Sequence, residues 1–359
     1  MSATIGTGYG IMPTVIANST MVRQQLDTLT EQASTGLVAQ TYAGLGGQSS
    51  VSLNLNPQIS ALQTYQTNIG QALGSMQVTQ TAMTQIQQVA STFVADIPNL
   101  NGLNASEVDS IASNARAALT QVAGLLDTTN GNSYVFGGQD TANPPVPAPD
   151  NILSSGFYTQ INTAVSSLST NGAAATVAAT LAVAQSNATG TSPFSAYMSQ
   201  PPTGLSTSQV QTGNGITVQT GLLASGNLAA TSTGTSTTGS YMRDLMRALA
   251  TLGSLSSSQV NDPNFATLVQ DTGNSLTGAV NAMAIDVGVL GNSQANLTAT
   301  QSQLATTAAA LTGQVSSVQD VDMAATVSQL TTMQTQLQES YRLITSANSL
   351  SLINFLPSP

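Results

Sequence analysis

The chain contains no cysteine, no histidine, no tryptophan and no lysine. Without cysteine there is no disulfide framework to read. Without histidine or cysteine the usual zinc donors are missing, and so are the thiol and imidazole catalysts. Charge is scarce too: charged residues make up 6% of 359, against roughly 25% in an average globular protein. The bases are Arg23, Arg116, Arg243, Arg247 and Arg342. Five scattered arginines do not make the basic stripe that displaces counterions from nucleic acid, so no nucleic-acid partner is expected. Fifteen carboxylates set the formal charge at −10. No apolar run approaches the roughly 18 residues of a membrane span. The opening stretch, MSATIGTGYGIMPTVIANST, has neither a basic region nor a continuous apolar region, so no standard cleaved signal is expected.

Hydrophobic residues reach 41%, enough for a substantial core, and Ser, Thr, Asn and Gln supply the polarity. The length is a prior for two to three domains. Residues 14–35 read as a helix with Val15, Val22, Leu26, Leu29 and Ala33 on one seam and Gly36 as its C-cap. Residues 37–56, rich in Gly, Ser and Asn, read as a loop or short hairpin. Pro57 then fits the first turn of a long helix that ends near Pro98 and Asn99. Its seam runs Leu62, Tyr65, Ile69, Ala72, Met76, Thr79, Met83, Ile86, Ala90, Phe93, Ile97. A further helix is expected over 105–129, with Ser106 as its N-cap and Val108, Ile111, Ala115, Ala118, Val122 and Leu125 on its seam.

The far end mirrors this. Leu276, Met283, Leu290, Leu297, Leu304, Leu311, Val318 and Ala325 recur every seventh residue. Their companions Ala279, Asp286, Ser293, Thr300, Thr307, Gln314 and Val321 are weak, which suits a bundle more than a two-stranded zipper. Asp320 and Asp322 read as a polar break. A last helix carries Leu330, Met333, Leu337, Tyr341, Ile344, Leu350, Ile353, Phe355 and Leu356. The middle is different. Residues 131–150 are turn-rich, 159–189 have weak helical periodicity, and 215–226 alternate as a strand or hairpin. Residues 230–240 read as a low-complexity linker and 241–255 as a short amphipathic helix, with Arg243 and Arg247 on a solvated face or, alternatively, at an intersubunit contact.

The expected fold is mainly α. A long antiparallel helical bundle or coiled coil forms from both termini, with a small α+β or β-rich insert domain in the middle. The expected domains are 1–45 with 320–359 for terminal assembly, 46–133 with 241–319 for the bundle, and 134–240 for the insert. Both seams of the last helix cannot be covered by one partner helix, which marks Val15, Val22, Leu26, Leu29, Leu330, Met333, Leu337, Tyr341, Ile344, Leu350, Ile353, Phe355 and Leu356 as an assembly interface. No catalytic, cofactor-binding or metal-ligating set emerges. GTGYG (6–10) and GLGG (44–47) lie outside any strand–helix unit and lack a lysine, so they read as loops. Little is expected to titrate between about pH 4 and 10, which would leave assembly insensitive to an acidic exterior.

The runs STMVRQQLDTLTEQASTGL, IDVGVLGNSQANL and VQDVDMAATVSQLTTMQTQLQESYRLITSANSLSLINFL resemble the terminal helical regions of bacterial flagellins and the related hook-associated proteins. SYVFGGQDTANPPV and the ending SLSLINFL are similar to the hook–filament junction branch of that family. The resemblance implies a structural, exported subunit that polymerises with copies of itself. It also implies contact with another hook-associated protein and with flagellin, and a cytoplasmic export chaperone. Two departures stand out: TYAGLGGQSSVSLNLN replaces the family's charged loop, and IQQVASTFVAD lacks the arginine of the innate-receptor epitope. A filament-forming flagellin is the other reading within the family, and a secreted coiled-coil adhesion protein is the reading outside it.

Overall fold

The computed structural model describes residues 11–100 and 105–349. Those residues form eight α-helices and two short hairpins, one of β1 (Thr129–Asn130) with β2 (Ser133–Tyr134) and one of β3 (Gln209–Gly213) with β4 (Ile216–Gln219). They fall into two compact units, one from residues 1–63 and 306–359, the other from 64–305. The chain is mainly helical, with long helices from both termini and a small strand-containing middle.

In the first unit α1 (Ile11–Thr35) packs on α8 (Met323–Ser349). Gly36 ends α1 at φ +75°, a left-handed conformation that other residues adopt at a cost, and its N–H donates to Gln32 O at 2.8 Å. The chain then makes an antiparallel bridge, Leu37 opposite Asp320. Val38 N–H donates to Gln319 O at 2.7 Å and Val321 N–H to Gly36 O at 2.9 Å. Asp322 caps α8, its Oδ1 accepting from Ala324 N at 2.9 Å and Ala325 N at 3.1 Å. The bridge ties the end of α1 to the start of α8, so the two helices run antiparallel.

The Gly-rich stretch after α1 is not the expected loop or hairpin. Tyr42–Gln48, which holds the GLGG run, is a 3-10 segment, and α2 begins at Ser49 (Ser49–Leu100). Pro57 therefore lies in the third turn rather than the first. The seam explains the earlier start: Ser52 and Ile59 are buried and Leu55 and Leu62 half-buried at alternating three- and four-residue spacing. Packing of that stripe outweighs the low helix propensity of Ser and Asn.

In the second unit the seam of α2 is buried as its heptads imply. Ile69, Met76, Thr79, Met83, Ile86, Ala90, Phe93 and Ile97 are buried, and the Thr79 hydroxyl donates to Ser75 O at 2.9 Å. The partner is α7 (Phe265–Gln319). Gln301 Nε2 donates to Gln66 O at 3.1 Å, a Cβ on Gly291 would lie 3.9 Å from Gln80, and one on Gly273 would press on Ile97 at 2.7 Å. As one number rises the other falls, so the helices are antiparallel. α7 buries Leu276, Met283, Leu290 and Leu297. Past residue 305, where α7 belongs to the first unit, the expected Thr307 and Gln314 are exposed, and Ala308 and Val315 are buried instead. The seam there runs 304, 308, 311, 315, 318, so the second stripe moves by one residue onto apolar side chains. α3 (Ala105–Leu126) starts before Ser106, which sits inside the helix rather than at its cap.

The remaining helices pack around α6 (Tyr241–Gly253), which contacts α3, α4 (Gly156–Ser166) and α5 (Leu168–Gln185). The expected amphipathic helix with a solvated face is absent, since all thirteen residues of α6 are buried. Its ends are satisfied by side chains. Ser240 accepts from Arg243 N at 3.4 Å, and Gly253 O accepts from Arg116 Nη1 at 2.6 Å and Tyr158 OH at 2.9 Å. Arg247 donates to Ser236 O at 2.7 Å and Ser275 Oγ at 2.6 Å, and lies 4.0 Å from Asp271. Asp244 accepts from Thr238 N at 2.8 Å and from the Thr237 hydroxyl. Residues 230–240 are therefore a strap bonded across α6 and α7, not a linker. Thr235 and Ser236 also hold Asp271. The strap's hydroxyls replace the water that these charges would otherwise need.

Candidate assembly surface

The assembly residues expected from sequence lie on α1, on α8 and beyond it. On α1 the half-buried positions are 15, 19, 22, 26, 29, 32 and 33; all but 32 follow an alternation of four and three that places Val15, Val22, Leu26 and Leu29 on one stripe. On α8 the less exposed positions are 326, 330, 333, 337, 340 and 344, which takes in Leu330, Met333, Leu337 and Ile344. These two stripes are the seam between α1 and α8. Tyr341 is not part of it, being 45% exposed. Leu350, Ile353, Phe355 and Leu356 lie outside the described residues.

The seam is shallow. On its described side chains α1 has no fully buried residue, and α8 has one, Thr326. Two helices alone cannot enclose their contact line, because a helix meets one neighbour over only part of its circumference. Apolar side chains flank the seam and stay in solvent. Ile16 and Met21 are exposed on α1, and Met323, Val327, Tyr341 and Leu343 on α8. At about 100° per residue, Ile16 and Met21 fall on opposite sides of the α1 seam. By the same count Met323, Val327 and Tyr341 fall on one side of the α8 seam and Leu343 on the other. The pair therefore presents apolar groups on two outer faces. Between Val22 and Leu343 a shallow groove of about 760 Å³ is floored by Ser328, Thr332, Thr335 and Glu339.

The polar part of these faces is prepared for burial. Thr331 donates to Val327 O at 3.0 Å, Thr332 to Ser328 O at 2.9 Å, Thr335 to Thr331 O at 3.0 Å and Thr345 to Tyr341 O at 2.8 Å. On α1, Thr20, Thr28 and Thr30 bond back one turn in the same way. A hydroxyl already bonded to its own helix can lose water without being stranded. Lysines or glutamates in those places would have to be paired or neutralised on burial. Among the described residues one exposed ion pair is present, Arg342 to Glu339 at 3.0 Å, and pairs of this kind contribute little to stability. The scarcity of charge in the sequence is thus a property of the surfaces as well as of the whole chain.

Among the described residues no group of His, Cys, Asp and Glu is arranged to hold a metal ion, and no helix is long and apolar enough to cross a membrane. What sequence reading missed was the back-bonded threonines. Their signal was present as Thr326, Thr331, Thr332, Thr335 and Thr345 on α8, but without a regular spacing, and a heptad reading weighs apolar residues and passes over hydroxyls.

Residues 12–141 match the bacterial flagellin N-terminal helical region, and residues 274–356 match the bacterial flagellin C-terminal helical region. No curated protein matches the chain. The two matched regions together span more than half of the sequence, in the family's order, and they contain the two helices that pair as α1 and α8; the chain belongs to the bacterial flagellin family.

Proposed function

We propose that this chain is the adapter at the junction of hook and filament, of the hook-associated protein three type. As a flagellin-family member it is a structural subunit of the extracellular flagellum. The observation that carries the assembly reading is the α1–α8 pair, whose shallow seam leaves Ile16, Met21, Val327, Tyr341 and Leu343 in solvent. Neighbouring subunits would cover these faces, and the segment with Leu350, Ile353, Phe355 and Leu356 would extend the same contact. Support for the junction role comes from SYVFGGQDTANPPV and SLSLINFL, which are similar to the junction branch.

In this reading residues 1–45 with 320–359 form the assembly layer, 46–133 with 241–319 the bundle, and 134–240 an outer insert. The partners are copies of itself in a ring, a second hook-associated protein, the first flagellins of the filament, and a cytoplasmic chaperone that accompanies the chain before export. Immunogold labelling of intact flagella tests it. A single band of label at the distal end of the hook is the expected result. Label along the whole filament would replace the junction role with that of a filament flagellin.

A further inference from the structure

A cavity of about 570 Å³ opens among β3 (Gln209–Gly213), β4 (Ile216–Gln219), the 223–228 loop and the amino end of α6. Its size is that of a small-molecule site. Arg243 lines it and is 9% exposed. A buried charge normally has a counter-ion. Arg243 has none within 4.0 Å among the described residues, where the ion pairs are Arg247–Asp271 and Arg342–Glu339. The adjacent Asp244 is turned to Thr237 and Thr238, and Asp286 to the N–H groups of residues 228–230. The guanidinium bonds neutral groups instead: Nη1 to Ala184 O at 2.9 Å and Ser186 O at 3.4 Å, and Nη2 to Asn187 Oδ1 at 2.7 Å. Phe194 covers its face at 5.2 Å. An arginine has five N–H donors, so Nε–H and one Nη2 hydrogen have no partner among the described residues.

The rest of the wall points to the same class of guest. No Asp or Glu lines the cavity. Thr207 lines it too, is 9% exposed, and its hydroxyl has no hydrogen-bond partner. Gln185, Gln200, Gln209 and Gln219 also line it and are exposed. Ser240, at the start of the thirteen-residue α6, brings the positive end of a helix dipole to the cavity.

We propose that this cavity binds a small hydroxylated monocarboxylate, with the carboxylate on Arg243 and the hydroxyls on Thr207 and the surrounding carboxamides. One cation matches one negative charge; a phosphate dianion would leave a second charge buried and unpaired. The guanidinium fork fits a planar carboxylate, and hydroxyls suit carboxamides that both donate and accept. Burial already pushes the Arg243 guanidinium below its ordinary value by desolvation, and an anionic guest would reverse that. This site is independent of the flagellar assembly surface.

Calorimetric titration of the full chain with gluconate tests the assignment, with glucose as a neutral match in size and inorganic phosphate as a dianion. Saturable gluconate binding is expected, with glucose and phosphate each weaker by about tenfold or more. Thr207→Val keeps the shape of the wall and removes only the unpartnered hydroxyl. It is expected to weaken gluconate about three- to tenfold while leaving Tm equal to or above the parent's. Absence of saturable heat up to about 10 mM gluconate would overturn the proposal. So would equal binding of glucose or phosphate, or an unchanged gluconate affinity in Thr207→Val.

Discussion

Asp286 sits on the buried stripe of α7 with no exposed surface, in a place that a leucine would fill in a simple coiled coil. Its carboxylate accepts from the backbone N–H groups of Leu228 at 2.6 Å, Ala229 at 2.9 Å and Ala230 at 2.8 Å. Those three donors turn the chain into the strap. Tyr241 lies beside it, and burial, with the Asp286 charge second, pushes the Tyr241 hydroxyl well above its ordinary range. Asp286→Ala strands three donors and is expected to cost about 3 kcal/mol in urea unfolding, with early loss of amide protection over 228–230. Unchanged protection there would remove the anchoring role. Asp127 makes a second residue-scale case. Burial raises it to about 6, partly opposed by the Val146 N–H that it accepts at 2.9 Å. The folded chain then holds this proton more tightly than the unfolded chain, so the contribution is fully present below pH 3.8 and lost as pH rises through about 6. Melting temperature should therefore fall between pH 4 and 7, by the equivalent of ~1 kcal/mol after solvent screening. Asp127→Asn should flatten that slope, and a parent without the slope would contradict the assignment. The sequence expectation of almost no titration in this window fails at Asp127, because burial and not residue type sets its value. Arg243 and Arg247 were misread for a related reason: their partners lie 24 to 67 residues away or in a hydroxyl-rich strap. In a chain this poor in charge, three charges on adjoining turns of α6 were the available signal.

Heptad spacing was enough to place every seam residue of α2 named from sequence in buried or half-buried positions. The pairing of α1 with α8 was legible in the same way, since a stripe of fixed period on each helix demands a partner of matching length. Boundaries were less legible. Pro57 reads as a helix start from its missing N–H, yet the helix runs through it because the stripe from Ser52 to Leu62 is anchored on both sides. The ring removes the bond to Leu53 O, so Pro57→Ala should slow amide exchange over 54–59, a local gain of up to ~3 kcal/mol. Exchange unchanged by the substitution would show that the proline costs the helix nothing. The strap was illegible because its order comes from close backbone approach. A Cβ on Gly278 would meet Thr233 O at 1.7 Å. Gly278→Ala should lift the strap from α7 and cost about 1–3 kcal/mol, read by denaturation and by faster exchange in 230–240. Full stability in that variant would mean that the strap packs more loosely than described.

At the scale of the whole molecule the chain does two things with one composition. Where it closes on itself, around α6 and along α2 and α7, apolar seams are deep and the few charges are buried among hydroxyls, carbonyls and backbone N–H groups. Along α1 and α8 the seam is half-buried, the threonines satisfy themselves, and apolar side chains flank both sides. The second arrangement suits a subunit whose terminal helices are finished only by neighbours. The absence of cysteine makes this directly measurable, because a single introduced thiol is the only one in the molecule. Cysteine variants at Ile16, Val327 and Leu343, reacted with a maleimide, compare free subunits with intact flagella. The expected result is rapid labelling of all three in the free chain and protection by about tenfold or more after assembly. Equal labelling in both states would mean that these faces remain in water in the flagellum, and the assembly surface would have to be sought elsewhere.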